Sequence, residues 1–441
     1  MIELVQARGR DNLAAMRVEL NYGKGVLPVD LPDDLELTVV RKPAMPVLPD
    51  PRAAMRAALA KPVGAPPLKE LARGKKSCCV LICDITRPVP NGLILPVLLR
   101  ELLDAGMRAE QVRVLVATGL HRPNEGAELA ELVGDKWVLD TFRVENHFAR
   151  NDEDHVDLGQ EVRGVRFRLD RRFVEADLKI ATGLVEPHFM AGYSGGRKVI
   201  MPGVAHADSI RRFHSAEFME HPNARNCVLD GNPLYAVQLA VVEALGGAYA
   251  VNAVIDEARR PSFLNFGEIV QSHLAAVAHI RGFAEVPVAR RFSTVLTSAA
   301  GYPLDRTYYQ TVKGMVAPMD ILAPGGELIV ASACSEGMGS REFVEAQRRF
   351  VAAGPDAFLL GLKAKPRADI DEWQTEMQLK PMRVGAIRLF TEGLKGEQRG
   401  LTGVAMIDDL PGAVLASVRR SGDKRIAVVP EGPYVVPQYR T

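Results

Sequence analysis

Cysteine is scarce: five in 441 residues, at Cys78, Cys79, Cys83, Cys227 and Cys334. The number is odd and three crowd one apparent strand, which excludes a disulfide framework. No paired C-x2-C knuckles mark a zinc site, so all five read as small buried apolar residues. Net charge is nearly absent as well, with 55 Lys and Arg against 54 Asp and Glu. That leaves no electrostatic case for a nucleic-acid or polyanion partner. No apolar run reaches the roughly 18 residues that a bilayer span needs. The opening MIELVQARGRDN lacks the apolar centre of a secretory signal, so the expected compartment is the cytoplasm. Two nucleotide motifs are missing too. No G-x-G-x-x-G follows a strand with an acidic residue about 20 positions on. The P-loop pattern fails because Lys198 is followed by Val199.

What is present is an alternation of strands and helices. A chain of 441 residues exceeds one ordinary core and suits two α/β domains. Residues 1–42 read as short strands (VELNYG, GVLPV, LELTVVR), and 43–67 as a proline- and alanine-rich connector with one short helix, DPRAAMRAAL. SCCVLICD is a buried strand, followed by the helical spacing of NGLILPVLLRELLDAGM with its glycine stop. QVRVLVATG, ADLKIATGLV and AYAVNAVID are further strands, with helices at HADSIRRFHSAEFM and NPLYAVQLAVVEALGG. A second series begins near residue 290: strands at STVLTSAAG, GGELIVASA, VGAIRLFTE and GVAMID, helices at TYYQTVKGMVAPM, SREFVEAQRRF and DIDEWQTEMQ. The fold class expected is α/β, two domains with mostly parallel sheets covered on both faces. The boundaries expected are 1–285, 286–425, and an extended tail 426–441 returning to the first domain.

VLVATGLH (114–121) and LKIATGLVEPH (178–188) echo each other. Each ends a strand in Ala-Thr-Gly-Leu and puts a histidine, His121 or His188, in the next loop. Ligands of parallel sheets gather at the carboxyl ends of strands, so two such histidines can share a pocket; chance repetition of common strand-end residues is an equal account. The densest segment is GLVEPHFMAGYSGGRKVIMPG (183–203), where clustered glycines permit close backbone approach to a phosphate. A plain turn would explain Gly195 and Gly196 alone, but not His188, Ser194, Arg197 and Lys198 together with them. In CDITRPVPNG (83–92), Asp84 and Arg87 flank Thr86 at a strand end. Arginine offers a planar fork for a carboxylate, although a surface Asp–Arg pair would look the same. In GYPLDRTYYQTVKG (301–314), Tyr309 and Lys313 share one helix face beside Gln310; an amphipathic helix would do so too. His214 falls in an expected helix, where a histidine is ordinarily a packed or surface residue.

Taken in order, DITRP, ATGLHRP, EPHFMAGYSGGRKVIMPG, RFHS and YYQTVKG resemble the nickel-dependent lactate racemase family, over roughly residues 16 to 436; the tail VPEGPYVVP fits as well. The resemblance implies two α/β domains with a cofactor cleft between them. It implies a nickel-pincer nucleotide, the pyridinium-3-thioamide-5-thiocarboxylic acid mononucleotide, joined to Lys198 as a thioamide. It makes His214 the nickel ligand and His121 and His188 the paired acid/base groups. Arg87 and Lys313 become the substrate-binding cations, with Tyr309, Gln310 and Trp373 beside them. Asp84, Ser194, Gly195 and Gly196 fall on the cofactor side, and Arg197 has no assigned role. The partners implied are a small 2-hydroxy acid and cofactor-biosynthesis proteins, with no nucleic acid and no membrane.

These residue types suit that chemistry. The C2–H of a 2-hydroxy acid is too weakly acidic for simple deprotonation, and no amine is present to form a pyridoxal-type electron sink. Removing a hydride gives a planar 2-keto acid instead, while the hydroxyl proton goes to a base. Two histidines, with ordinary pKa about 6.5, serve both enantiomers near neutral pH. Soft sulfur donors with one imidazole suit square-planar Ni(II). Two other classes compete. A nicotinamide-dependent 2-hydroxy-acid dehydrogenase would use the same Arg and His types but lacks its nucleotide fingerprint here. A non-catalytic nickel or nucleotide carrier has no use for two acid/base histidines and two substrate cations.

Overall fold

The computed structural model describes residues 2–4 and 15–440. Most of MIELVQARGRDN, on which the reading of the leader rests, lies outside the described residues. The chain divides into two compact units. A central unit holds Ala44–His214 and His221–Gly282; a terminal unit holds Met1–Pro43, Ser215–Glu220 and Phe283–Thr441.

The central unit is built on a six-stranded sheet: β1 (Cys78–Cys83), β2 (Val112–Ala117), β3 (Arg143–Asn146), β4 (Leu178–Leu184), β5 (Tyr249–Ile255) and β6 (Pro261–Glu268). Their order is β6-β5-β4-β1-β2-β3. Strands β1 to β5 run parallel, and β6 is antiparallel to β5. The strands are continuous apolar runs because both faces of a parallel sheet are covered. All of Cys78–Ile82 is buried. The helix Asn91–Asp104 covers it with Ile94, Leu95, Leu98, Leu99 and Leu102 on one face. That helix stops as its glycine suggested. Gly106 takes φ +95°, and Gly106 N–H and Met107 N–H donate to the carbonyls of Leu103 and Leu102. The chain lays β1, β2 and β3 outward in one direction, then returns to place β4 on the other side of β1. The crevice at the β1/β4 carboxyl ends is therefore where the strand order reverses, the usual ligand position in such sheets.

The terminal unit has a seven-stranded sheet ordered Ile2–Leu4, Glu36–Val40, Arg425–Val429, Phe292–Ser298, Leu322–Ala331, Ala386–Phe390, Ala405–Ile407. Every pairing is parallel except that of the first two strands. This corrects the expected boundaries. Residues 1–43 do not join a 1–285 domain, because Glu36–Val40 finds its parallel partner in Arg425–Val429. The tail does not return to the first domain either. Arg425–Val429 is an interior strand here, and Val436–Tyr439 pairs with Glu285–Val288 of the same unit. Hydrophobic pattern identifies a strand but not its neighbour, and these partners lie almost 400 residues apart in sequence. A second correction concerns HADSIRRFHSAEFM. It forms two short helices, Ala207–Phe213 and Ala216–Met219, and His214 caps the first rather than lying inside a longer one.

Leu37 is buried with Leu20, Leu296, Ile426 and Val428. Leu37→Ala should destabilise the terminal unit by about 2–5 kcal/mol. Hydrogen exchange should show lost protection at Phe292–Ser298 and Arg425–Val429, with Cys78–Cys83 unchanged. Equal loss in both sheets would contradict the division into units.

Candidate active site

Three loops at the carboxyl ends of adjacent strands carry the central unit's candidate groups: 84–90 after β1, 118–124 after β2 and 185–198 after β4. After β1, Asp84 accepts from Thr86 N–H at 3.1 Å and Thr86 Oγ1 at 2.5 Å. Arg87 N–H closes the turn on the Asp84 carbonyl at 3.1 Å. The buried Asp84 carboxylate then takes Nδ1–H of His121 at 2.5 Å. Burial opposes that charge, but His121, the Thr86 hydrogen bonds and Arg87 outweigh it and hold Asp84 below the usual carboxylate range. With Nδ1 committed as donor, His121 carries its basic lone pair on Nε2. Its side chain is 56% exposed, so this base reaches solvent or a ligand.

His188 has the opposite arrangement. Its ring is buried, and Nδ1 accepts the backbone N–H groups of Met190 at 3.3 Å and Ala191 at 3.2 Å. The neutral ring therefore carries its proton on Nε2. One histidine offers a lone pair and the other an N–H.

The loop bearing Lys198 is folded hard against β4. A Cβ at Gly183 would lie 2.8 Å from Gly195 Cα; one at Gly195 would lie 2.6 Å from Val185; one at Gly196 would lie 3.1 Å from His273. Gly195 and Gly196 also hold positive φ, +83° and +49°. The Ser194 hydroxyl donates to the Leu184 carbonyl at 2.7 Å and accepts Glu186 N–H at 3.1 Å. In this arrangement Ser194, Gly195 and Gly196 serve loop packing. Arg197, unassigned from sequence, points inward and is fully buried. Its guanidinium lies 4.0 Å over the Tyr235 ring and donates to His273 Nδ1 at 2.7 Å. His273 in turn donates Nε2–H to the Ser194 carbonyl at 2.7 Å. The loop is thus pinned from beneath.

Lys198 is half-buried. Burial, with Arg87 alongside, brings its ammonium down to about 8, against the opposing pull of Cys83, Asp84 and Glu186. His214 shares this neighbourhood. Burial and the Lys198 charge push its imidazole down to about 4. Its Nδ1–H donates to the Ile210 carbonyl at 2.9 Å, which fixes the tautomer with the lone pair on Nε2. The sheet therefore gathers Asp84, Arg87, His121, Lys198 and His214, with His188 on the same loop as Lys198. Glu186, which the sequence reading passed over, sits among them: it accepts from Arg87 Nη1 at 2.8 Å. Its signal was in view, as the acidic residue two positions before His188 in EPH.

The terminal unit holds the remaining candidates. Thr307 caps the helix Tyr308–Val316 by accepting Gln310 N–H. Tyr309 and the half-buried Lys313 follow one another along a face of this helix. Tyr309 Oη donates to Asp371 at 3.3 Å, and its ring meets Phe343 edge-on at 5.1 Å. Gln374, from the helix Glu372–Val384, donates to the Tyr309 carbonyl at 2.5 Å. The buried Trp373 is its neighbour. Among the described residues, Gln310 Oε1 is buried without a hydrogen-bond partner.

The Lys198 environment makes a prediction for unmodified protein. Its depressed value means that the amine is mostly neutral above pH 8, where ordinary lysines near 10.5 are protonated. Acetylation by a water-soluble acylating reagent, read by peptide mass spectrometry, should rise through a midpoint near pH 8 at Lys198, well before the exposed lysines.

The chain matches known proteins over nearly its whole length. The model of the lactate racemase N-terminal domain covers residues 22–227, and that of the lactate racemase C-terminal domain residues 289–436. A lactate racemase of Thermoanaerobacterium thermosaccharolyticum is 31% identical over 424 residues, 95% of this chain and 98% of that one. A lactate racemase of Lactiplantibacillus plantarum is 34% identical over 285 residues, 65% of this chain and 66% of that one. The structure of the T. thermosaccharolyticum lactate racemase apoprotein aligns with a TM-score of 0.87 at 30% identity, covering 96% of this chain and 100% of that chain. A Thermotoga maritima protein of known structure shares the fold at 18% identity, with a TM-score of 0.65 and coverage of 88% and 98%. The chain belongs to the lactate racemase family, and it is an isomerase of the racemase type.

Proposed function

We propose that this racemase inverts C2 of a 2-hydroxy acid, using a nickel-pincer nucleotide joined to Lys198. The observation that carries this reading is the pairing of Lys198 and His214 at one site. A half-buried amine brought down to about 8 is a competent nucleophile for acylation near neutral pH. An imidazole at about 4, with its tautomer fixed by the Ile210 carbonyl, stays neutral and offers Nε2 to a metal. Among the described residues no group of three or more His, Cys, Asp or Glu is placed to hold a metal ion. A single imidazole suits a metal whose other donors arrive with the cofactor. When bound, that cofactor supplies a pyridinium ring able to take up a hydride from C2 and return it.

The chain's own groups do the rest. Arg87 binds the substrate carboxylate and keeps it in place while the carbonyl turns its other face. His121 Nε2, backed by the Asp84 carboxylate, takes the hydroxyl proton as C2 loses its hydride, leaving a planar 2-keto acid. His188 presents an N–H to the substrate oxygen from the other histidine position. With hydride supplied to the opposite face by the bound cofactor, a histidine returns the proton to oxygen and completes the other enantiomer. Lys313, Tyr309, Gln310 and Trp373 keep the substrate-side roles that the family resemblance gives them. The curated relatives are named lactate racemases, so lactate is the first substrate to try. Loading calls on cofactor-biosynthesis proteins.

Intact-mass analysis of protein made with the cofactor pathway should show an adduct on Lys198. Chiral analysis should show either enantiomer of lactate, or of a related 2-hydroxy acid, turning into the other. Lys198→Ala should lose both adduct and activity; full activity without the adduct would refute the tether. His214→Ala should lower nickel retention in metal analysis. His121→Ala and His188→Ala should keep the adduct and each lose about 10²- to 10⁴-fold in rate. Normal turnover by either variant would remove it from the mechanism.

A further inference from the structure

The Arg87–Glu186 ion pair spans the β1/β4 crevice, and its Glu186 has no part in the chemistry above. An ion pair on open surface contributes little. This one is about three-quarters buried on both sides, with side-chain exposures of 25% and 27%. It also engages the group assigned to the substrate carboxylate. Glu186 holds Arg87 through Nη1 alone. Among the described residues, Nε and Nη2 of Arg87 make no hydrogen bond. Those two nitrogens form one edge of the guanidinium fork, the edge that takes a carboxylate in bidentate fashion.

Both partners are built in from the backbone. Arg87 is fixed by its N–H on the Asp84 carbonyl. Glu186 is clamped by Ser194 on two sides: its N–H donates to Ser194 Oγ at 3.1 Å, and its carbonyl accepts Ser194 N–H at 2.9 Å. The next residues, Pro187–His188, pair with Gly192–Tyr193. Glu186 is therefore carried by the same pinned loop as His188 and Lys198.

We propose that Glu186 is a positioning residue that turns the free edge of Arg87 toward one substrate carboxylate and, by its charge, selects against acids carrying a second. This rests on the reading that Arg87 receives the substrate carboxylate. Arg87 and Glu186 together are neutral, so one incoming carboxylate leaves this end of the site with a single negative charge. A second carboxylate brought to this end of the site would face the Glu186 charge, in a partly buried place where water screens weakly. The favoured class is the monocarboxylic 2-hydroxy acid, with dicarboxylic acids such as malate disfavoured.

Two substitutions separate the hold from the charge. Glu186→Ala removes both; Glu186→Gln keeps an acceptor oxygen and removes the charge. Crystal structures of the two variants read positioning without any activity, and Arg87 should leave its place in Glu186→Ala. With cofactor-loaded enzyme, Glu186→Ala should raise KM for lactate roughly 10- to 100-fold, with a smaller change in kcat. Glu186→Gln should raise the ratio of kcat/KM for malate to that for lactate about tenfold, the effect of one removed like charge near the substrate. Thermal melting checks folding, and Glu186→Gln carries the test if Glu186→Ala melts early. An Arg87 unmoved in the alanine variant, or an unchanged KM, overturns the positioning role. An unchanged malate-to-lactate ratio in the glutamine variant overturns the selection. If wild-type enzyme racemises none of the acids, the functional reading fails, and the crystal structures still decide the positioning.

Discussion

The site depends on how closely the 192–198 loop lies on the end of β4. Gly183 and Gly195 approach until a Cβ on Gly183 would collide with the Gly195 backbone, and a Cβ on Gly196 would sit tightly against His273. With the loop this close to the sheet, its side chains divide cleanly. Arg197 goes inward, stacked on Tyr235 and bonded to His273. Lys198 goes to the carboxyl edge of the sheet, near Arg87, Asp84 and Glu186. Burial there, with Arg87 alongside, brings the amine toward neutrality, a state suited to covalent attachment.

Two carboxylates then organise two functional groups. Asp84 orients His121, and Glu186 orients Arg87, each from a neighbouring strand end. The arrangement follows from solvation. A buried carboxylate is tolerated when donors surround it, and the donors gain fixed orientation in return. The sign of the pH effect follows as well. Asp84 titrates below its ordinary range, so its stabilising contribution is present at neutral pH and lost as pH falls through the lowered value. Lys198 acts in the other sense. Its folded value lies below the unfolded one, so burying it costs stability at low pH, and that cost is relieved as pH rises from about 8 toward 10.5.

The terminal unit prepares its groups by a different device, three packed helices, Tyr308–Val316, Arg341–Ala353 and Glu372–Val384, with polar side chains buried between them. The single Tyr308 hydroxyl proton is shared between Gln378 Oε1 at 2.9 Å and the Thr402 carbonyl at 2.8 Å, and Gln347 donates to Gln378 at 3.0 Å. This network fixes the register of the helix Glu372–Val384, and with it Trp373 and the Gln374 bond to the Tyr309 carbonyl. Glu376 of the same helix is driven up to about 8 by burial, with Glu220 nearby reinforcing it. Near neutral pH it is therefore largely a protonated acid, and the helix face carries less charge than its sequence suggests.

The sequence by itself determined the elements and the chemistry-bearing segments. Continuous apolar runs marked β1, β2, β4 and β5, and a glycine marked the end of Asn91–Asp104, because burial and backbone freedom are local properties of a few residues. The echo of Ala-Thr-Gly-Leu placed His121 and His188 at strand ends, where the structure has them. Tertiary structure alone decided pairing over distance. It joined Glu36–Val40 to Arg425–Val429, gave the described N-terminal strands to the terminal unit, turned Arg197 inward, and put Glu186 on Arg87. A carboxylate's partner is whatever cation the fold carries to within 3 Å, and nothing in the sequence separation of 99 between Arg87 and Glu186 specifies that meeting until the sheet brings β1 and β4 side by side.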